Sequence, residues 1–402
     1  IADGYKNAYS AIIDANVTTL LTGIILLVFG TGPIKGFATT LVIGICTSLF
    51  SAIFITRLIY ERMLSKNRKL TFATRLTENA FKNTNIQFIG RRRTFYLISG
   101  AIVLVGIISL FTRGLNQGID FTGGRTFVVK FEQPVNTTDI RNSLELVFGQ
   151  APEVITFGGE DQVRVTTKYK IEDNAVEADE EVEQLLYEGL KPYIGEDVSF
   201  DTFMSDYRQS SQKVGPTIAD DIKKQAVWAI LFALIAIFIY ILVRFRNWQF
   251  GMGAVAALVH DTLIVLGIFS IFHGIMPFSL EIDQAFIAAI LTVVGYSIND
   301  TVVVFDRIRE YVGLYRKRDR TEIINLALNS TLSRTFSTSL STFFVLLMIF
   351  LFGGEVIRGF TFALLIGVVV GTYSSLFIAT PVVYDTIMKS ETTRVLRAKK
   401  RS

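Results

Sequence analysis

Residues Val293–Glu310 read VVGYSINDTVVVFDRIRE, an apolar helix with one aspartate, Asp300, inside its hydrophobic length and the charge run Asp306, Arg307, Arg309, Glu310 at its end. Counted back from Phe305 the apolar segment reaches Ala285, roughly 31 Å at 1.5 Å per residue, which is enough to cross the hydrocarbon core of a bilayer. Asp300 then lies about 8 Å inside the cytoplasmic edge. An ionisable group at that depth faces the bundle interior or water, needs a partner, and marks ion or proton paths. Asp306 can reach the headgroups; Asp300, flanked by Asn299 and Thr301 and followed by three valines, is read as functional.

Half of the 402 residues are hydrophobic and 12% are aromatic, more than a soluble core of this size requires, so the chain is read as an integral membrane protein. The net charge of +4 is small and strongly segregated, which reports topology and gives no ground for nucleic-acid binding. One cysteine, Cys46, excludes an intrachain disulfide, and with only two histidines, His260 and His273, no transition-metal cluster of soft ligands can be built. The opening IADGYKNAYS carries neither a methionine nor a signal-peptide pattern and is expected to be internal to a longer protein.

Hydrophobic runs near Val17–Phe29, Phe37–Ile59, Thr94–Phe111, Ala226–Val243, Phe250–Ile271, Ala285–Val304, Thr335–Phe352 and Thr361–Ile387 predict eight spans. Lys and Arg crowd into Arg57–Arg93, Arg244 with Arg246, Arg307–Arg320 and Arg394–Arg401, which places these segments in the cytoplasm and the alternate loops outside. The expected division is 1–60 (two spans), 61–93 (basic linker), 94–111 (one span), 112–225 (extracytoplasmic domain), 226–387 (five spans) and 388–402 (basic tail).

Thr112–Gln225 reads as a small α+β domain. Arg125–Phe131 alternates like a strand, Thr138–Phe148 has helical spacing behind a Thr cap, and Val154–Phe157 and Gln162–Thr167 flank a GGED turn. Ala178–Leu190 reads as an acidic helix and Val198–Met204 as a last strand, so the order strand-helix-strand-strand-helix-strand predicts a ferredoxin-like sandwich. The acidic run Glu177–Glu183 is read as a solvated helix face.

Ser10–Phe54 aligns with Ser330–Phe377, IKGF matching IRGF, a repeat that points to two related halves about a pseudo-symmetry axis with a site between them. Asp14 falls opposite Arg334 on this alignment. Arg334 precedes a hydroxyl stripe that includes Thr335, Thr338, Ser339 and Thr342, at a depth comparable to that of Asp300. It either pairs with Asp300 or snorkels to the headgroups; the stripe favours a polar interface. His260 and Asp261, inside the fifth span, form a second proton relay or a satisfied contact between helices, the second reading being preferred. GTGPIKGF (Gly30–Phe37) lacks the spacing of a phosphate-binding loop and is read as a tight turn. No nucleotide-binding motif, nucleophile elbow or metal-binding helix appears, so no enzyme activity and no cofactor are expected.

DANVTTL with GTGPIKGFATTL resembles the C-terminal end of SecD, whereas GIDFTGG (Gly118–Gly124), VGP (Val214–Pro216), VGYSINDTVVVFDRIRE and NSTLSRTFSTSLST (Asn329–Thr342) resemble SecF. The order is similar to that of a fused SecD/SecF protein of which this chain carries the last two SecD spans and six SecF spans. The resemblance implies an RND-like pseudo-symmetric bundle of about eight helices in the bacterial inner membrane. It implies an accessory component of the Sec translocase that uses the proton-motive force to draw out preproteins. Its implied partners are the SecYEG channel, the SecA ATPase, YajC, the translocating preprotein and membrane lipids. By motif, Asp300 and Arg334 match the SecF charges tied to proton flow; Asp261, His260, Asn299, Thr338 and Asp14 stand as further polar candidates, and Gly118, Asp120, Gly123 and Gly124 as the family's glycine motif. A proton-coupled exporter of small molecules or lipids is the alternative, and it requires a roomy apolar, aromatic-lined pocket in the soluble domain.

Overall fold

Eight helices are long and apolar enough to cross a membrane, and a small sheet domain projects between the third and the fourth. The computed structural model describes residues 2–30, 32–68, 70, 81, 84–173 and 175–399. The expectations for Lys69, Arg75 and Lys82 in the basic linker, and for the tail beyond Lys399, lie outside the described residues.

The chain opens with α1 (Ala2–Phe29) and α2 (Gly32–Phe50), which passes through a π turn (Ser51–Ile55) into α3 (Thr56–Ser65). The third span is α4 (Arg92–Thr112). The sheet domain follows as α5 (Ile119–Thr122), β1 (Gly124–Lys130), α6 (Thr137–Phe148), β2 (Glu153–Phe157), β3 (Gly159–Thr167), α7 (Val176–Ile194), α8 (Phe200–Thr202) and β4 (Arg208–Val214). The remaining spans are α9 (Pro216–Phe245), α10 (Trp248–Phe272), α11 (Gln284–Leu314), α12 (Arg320–Phe352), and α13 (Glu355–Ser374), which runs through a further π turn (Ser375–Ala379) into α14 (Thr380–Lys399).

The strand order is β2-β3-β1-β4 and every pairing is antiparallel, which is the ferredoxin-like arrangement. Phe127 and Val129 on β1, Val163 and Val165 on β3, Ile140 and Leu144 on α6, and Val182, Leu186 and Leu190 on α7 close the core between one sheet face and the two helices. Two local expectations are corrected. Asn136, not a threonine, caps α6, accepting from Thr138 N at 2.8 Å. Val198–Met204 is no strand: Ser199 caps the short α8, a π turn (Phe203–Tyr207) follows, and Phe203 and Tyr207 enter the core four residues apart, as helical side chains do. The fourth strand lies later, in the polar stretch RQSSQKV at the sheet edge.

The glycine motif makes the joint between this domain and the membrane. Gly123 ends α5 at φ 70° and Gly124 continues at φ 156°, where a Cβ would stand 2.8 Å from Ile119 Cγ2. Both conformations favour a residue without a side chain, so the chain turns from α5 straight into β1.

Within the bundle α11 is the most buried of the eight spans and packs on α1, α10, α12 and α13. The repeat is structural as well as sequential. With IKGF laid on IRGF, the π turn beginning at Ser51 falls within one residue of the π turn beginning at Ser375.

Candidate functional site in the membrane

Three polar clusters interrupt the apolar interior. The first surrounds Asp300, which is buried on α11. Ser339 on α12 donates to Asp300 Oδ2 at 3.2 Å, and Thr372 on α13 donates to Ser339 Oγ at 2.7 Å, so one hydroxyl chain joins three helices and ends on the carboxylate. Arg334, one turn and a residue before Ser339, is exposed and makes no ion pair among the described residues, yet its guanidinium is close enough to act on Asp300 through space. The direct Asp300–Arg334 contact that comparable depth allowed is not formed among the described residues, and Ser339 bonds the carboxylate instead.

The second cluster is a knot about Asp261. Ser297 on α11 and Ser374 at the end of α13 both donate to Asp261 Oδ2, at 2.6 and 2.8 Å, and His260 Nδ1 lies 3.0 Å from Oδ1. Asp261 is fully buried and both of its oxygens are engaged by neighbours on three elements, which suits a contact that fixes helices. His260 Nε2 has no partner among the described residues.

The third cluster lies at the bundle end away from the sheet. Tyr240 OH donates to Asp14 Oδ1 at 2.8 Å and Arg244 Nε to Asp14 Oδ2 at 2.7 Å. Arg244 also reaches Asp306 at 3.2 Å, and Arg309 reaches Asp306 at 2.9 Å. Asp14, aligned in sequence with Arg334, therefore belongs in space with Arg244.

Of the other predicted positions, Asn299 is partly buried, with an Oδ1 that has no donor among the described residues, and lines a cleft of about 550 Å3 with Asn16 and Thr19. Thr338 is not brought to Asp300: its hydroxyl donates back to Arg334 O and Thr335 O within α12. Ser297, Ser374, Thr372, Tyr240 and Arg244 were not singled out from sequence. Ser and Thr on apolar helices are commonplace, and only the packing shows which ones face a carboxylate.

The glycine motif sits at the opposite end, where Asp120 Oδ2 accepts from Gln284 N at 3.0 Å, at the start of α11. A cavity of about 260 Å3 lies there between the sheet and the membrane-facing segments, lined by Asp120, Arg164, Ser210, Gln212, Glu281 and Glu355 among others. Its lining mixes these polar and charged groups with apolar ones, Val128, Phe157 and Phe360 among them.

Two family profiles match this arrangement: "Protein export membrane protein SecD/SecF, C-terminal" over residues 1–66 and 196–389, and "SecD/SecF GG Motif" over residues 108–135. The chain belongs to the SecD/SecF family. Its relatives include the protein translocase subunit SecF of Rhodothermus marinus, 47% identical over 306 residues that make up 76% of this chain and 94% of that protein. SecDF of Bacillus subtilis is 33% identical over 396 residues, 94% of this chain and 50% of that protein. The crystal structure of SecDF, a translocon-associated membrane protein from Thermus thermophilus, superposes with a TM-score of 0.79 at 31% identity, covering 96% of this chain and 49% of that one. The chain thus spans nearly the full length of a SecF relative and about half the length of the SecDF relatives it matches. It is a multi-pass membrane protein with an extracytoplasmic domain of the SecD/SecF type, and none of these matches favours the small-molecule exporter.

Proposed function

We propose that this chain works as an accessory component of the Sec protein translocase, and that Asp300 is the group through which the proton-motive force enters its cycle, with Arg334 as its electrostatic counterpart. The observation that carries this reading is the placement of Asp300: a buried carboxylate on the central helix, at the end of a hydroxyl chain through Ser339 and Thr372 and within electrostatic reach of Arg334. A carboxylate so placed favours the proton when Arg334 is distant and releases it when Arg334 approaches. One elementary charge moved through the membrane potential supplies about 2.3 kcal/mol per 100 mV, enough to bias two packings of a helix bundle.

In this reading the linker 61–93 and the tail 388–402 are cytoplasmic, the cleft beside Asn299, Asn16 and Thr19 faces the remaining membrane portion of the assembly, and Asp261 with His260 serves the architecture. The partners are the SecYEG channel, the SecA ATPase, YajC and the preprotein in transit. The test is preprotein export by membrane vesicles carrying the complete SecD/SecF assembly, with and without a proton gradient. Asp300→Asn and Arg334→Ala are expected to leave the assembly inserted but to abolish the gradient-dependent stimulation, and Arg334→Lys to restore part of it. Undiminished gradient dependence in the Asp300→Asn vesicles overturns the assignment.

A further inference from the structure

The strap 279–283, which leads from the fifth span into α11, is gripped from both sides. On its membrane side, Ser279 N donates to Glu355 Oε1 at 3.3 Å, and Glu355 is paired with Arg358 on the first turn of α13. On the domain side, Ile282 N donates to Asn116 O at 2.7 Å and Gly118 N to Ile282 O at 2.9 Å, so the strap is stitched to the glycine motif by backbone. Arg164, from the sheet face opposite the domain's helices, reaches down through the cavity to pair with Glu281 and to donate to Ser279 Oγ at 3.1 Å.

Glu281 is partly buried in this slot and Gly118 passes tightly against its carboxylate: a Cβ on Gly118 would lie 2.8 Å from Glu281 Oε1. Asp120, more than nine-tenths buried, lines the same cavity with an Oδ1 that no donor reaches among the described residues. Asp283 caps α11, its Oδ1 accepting from Phe286 N at 2.7 Å. The charged groups facing Glu281 are Asp120 on α5, Glu153 on β2, Arg164 on β3 and Asp283 on the strap itself, while Glu355, which lines the cavity from α13, is paired with Arg358. One arginine inside the slot therefore serves several carboxylates.

We propose that Glu281, with Asp120 beside it, is a second proton-binding site, separate from Asp300, that takes up a proton from the extracytoplasmic side when the sheet domain closes onto the strap and returns it when the domain lifts. Burial pushes the Glu281 carboxyl above the usual carboxylate range in spite of Arg164, with Asp283, Glu153 and Asp120 pushing the same way. Burial likewise raises Asp283, against the opposing Phe286 amide. A group whose pKa is higher in the closed form binds more protons there, so the closed form is favoured as the pH falls and loses that advantage as the pH rises through the raised value. Because Asp283 caps the helix that carries Asp300, the position of the domain and the start of α11 are held by the same few bonds.

The inference is tested on the full chain in lipid nanodiscs, in a Cys46→Ser background with spin labels at Leu146→Cys and Ile275→Cys, two exposed positions outside the slot on the domain and on the membrane hairpin. Between mildly alkaline and mildly acidic buffer, the short-distance population should rise at least about twofold. Glu281→Gln, the neutral isostere, should hold that population high in both buffers, and Glu183→Gln, at the Arg208 ion pair on another part of the domain, should keep the native pH response. Carrying Asp300→Asn in the same chain should leave the response intact, which separates this site from the one in the membrane. A native distribution that ignores pH, a Glu281→Gln chain that still responds as the native one does, or a response abolished by Asp300→Asn overturns the proposal.

Discussion

Arg244 on α9 stands 2.6 Å from Asp14 on α1, and this ion pair ties the first span to the fourth. Both partners are largely withdrawn from solvent, and Tyr240 fills the other oxygen of the carboxylate. Breaking a buried pair from one side leaves an uncompensated charge, which costs about 3–5 kcal/mol. Arg244→Ala is therefore expected to lower the melting temperature of the full chain in detergent, and the double variant Arg244→Ala with Asp14→Ala to recover part of the loss. Equal melting of the single variant and the native chain would show that the pair is replaceable.

Asp261 and Asp300 should part company under the same substitution. Asp261 accepts from Ser297 and Ser374 on two different elements, whereas Asp300 accepts from Ser339 alone among the described residues. Asp261→Ala strands the Ser297 hydroxyl in a buried site, at about 1–3 kcal/mol for an unsatisfied group, leaves Ser374 only its bond to Gly371 O, and should reduce the yield of folded protein. Asp300→Asn should leave yield and melting near native while removing the response to the proton gradient. Size-exclusion profiles and thermal melts of the two variants side by side decide it.

The sheet domain carries its own core and is expected to fold alone as residues 112–225, giving a single cooperative melt. Arg125, almost wholly buried, donates to Asp179 and to Tyr169 O at 2.7 Å, and Arg125→Ala should destabilise the isolated domain by about 2–4 kcal/mol. Chemical denaturation followed by circular dichroism measures both.

The acid limb of that melt has a named contributor. Burial pushes the Asp179 carboxyl upward, but hydrogen bonds from Lys213 and Arg125 outweigh it and hold the group below its ordinary range. A carboxylate depressed in the folded state contributes stability above its unfolded pKa and loses it as the pH falls through the depressed value. Asp179→Asn should therefore melt lower than the native domain at neutral pH, and the two curves should converge below about pH 4. A gap that is constant across the range would mean that the charge plays no part.

Gly106 on α4 and Gly267 on α10 let two spans touch by backbone: a Cβ on Gly267 would lie 2.7 Å from Gly106 Cα. Gly267→Val should force α4 and α10 apart and lower the melting temperature, whereas Gly100→Val, where a Cβ would meet nothing, should have little effect on it.

Much of this was legible in the sequence because lipid imposes a simple rule on the backbone: eight apolar runs of spanning length became eight spanning helices. The βαββαβ order of the domain was legible for the same kind of reason, since Phe127, Val129, Val163 and Val165 alternate toward a core. The last strand was not. RQSSQKV has no apolar alternation because it lies at the sheet edge with most of its residues exposed, and the aromatic pattern before it belongs to helical turns. Asp300 could be picked out from its own neighbours in sequence, but Ser339, Thr372 and Arg244 reach their carboxylates across helix interfaces whose register no single segment encodes. Arg164 and Glu281 are likewise far apart in the chain, and only the packing of the sheet over the strap brings them together.

The knot around Asp261 also limits how the bundle can move. It bolts α10, α11 and the end of α13 at one point, and a little nearer the sheet Gly367 and Gly371 press against Val293 and Ser297, where any Cβ would collide. Three helices braced in this way behave as a single lever and leave no room for α11 to tilt or rotate by itself. In the proposed reading a charge arriving at Asp300 acts on that whole lever, whose hydrogen bonds to α12 beside Asp300 pass through Ser339. Distances measured across α10 and α13 should hold constant through the cycle while those from α11 to α12 change.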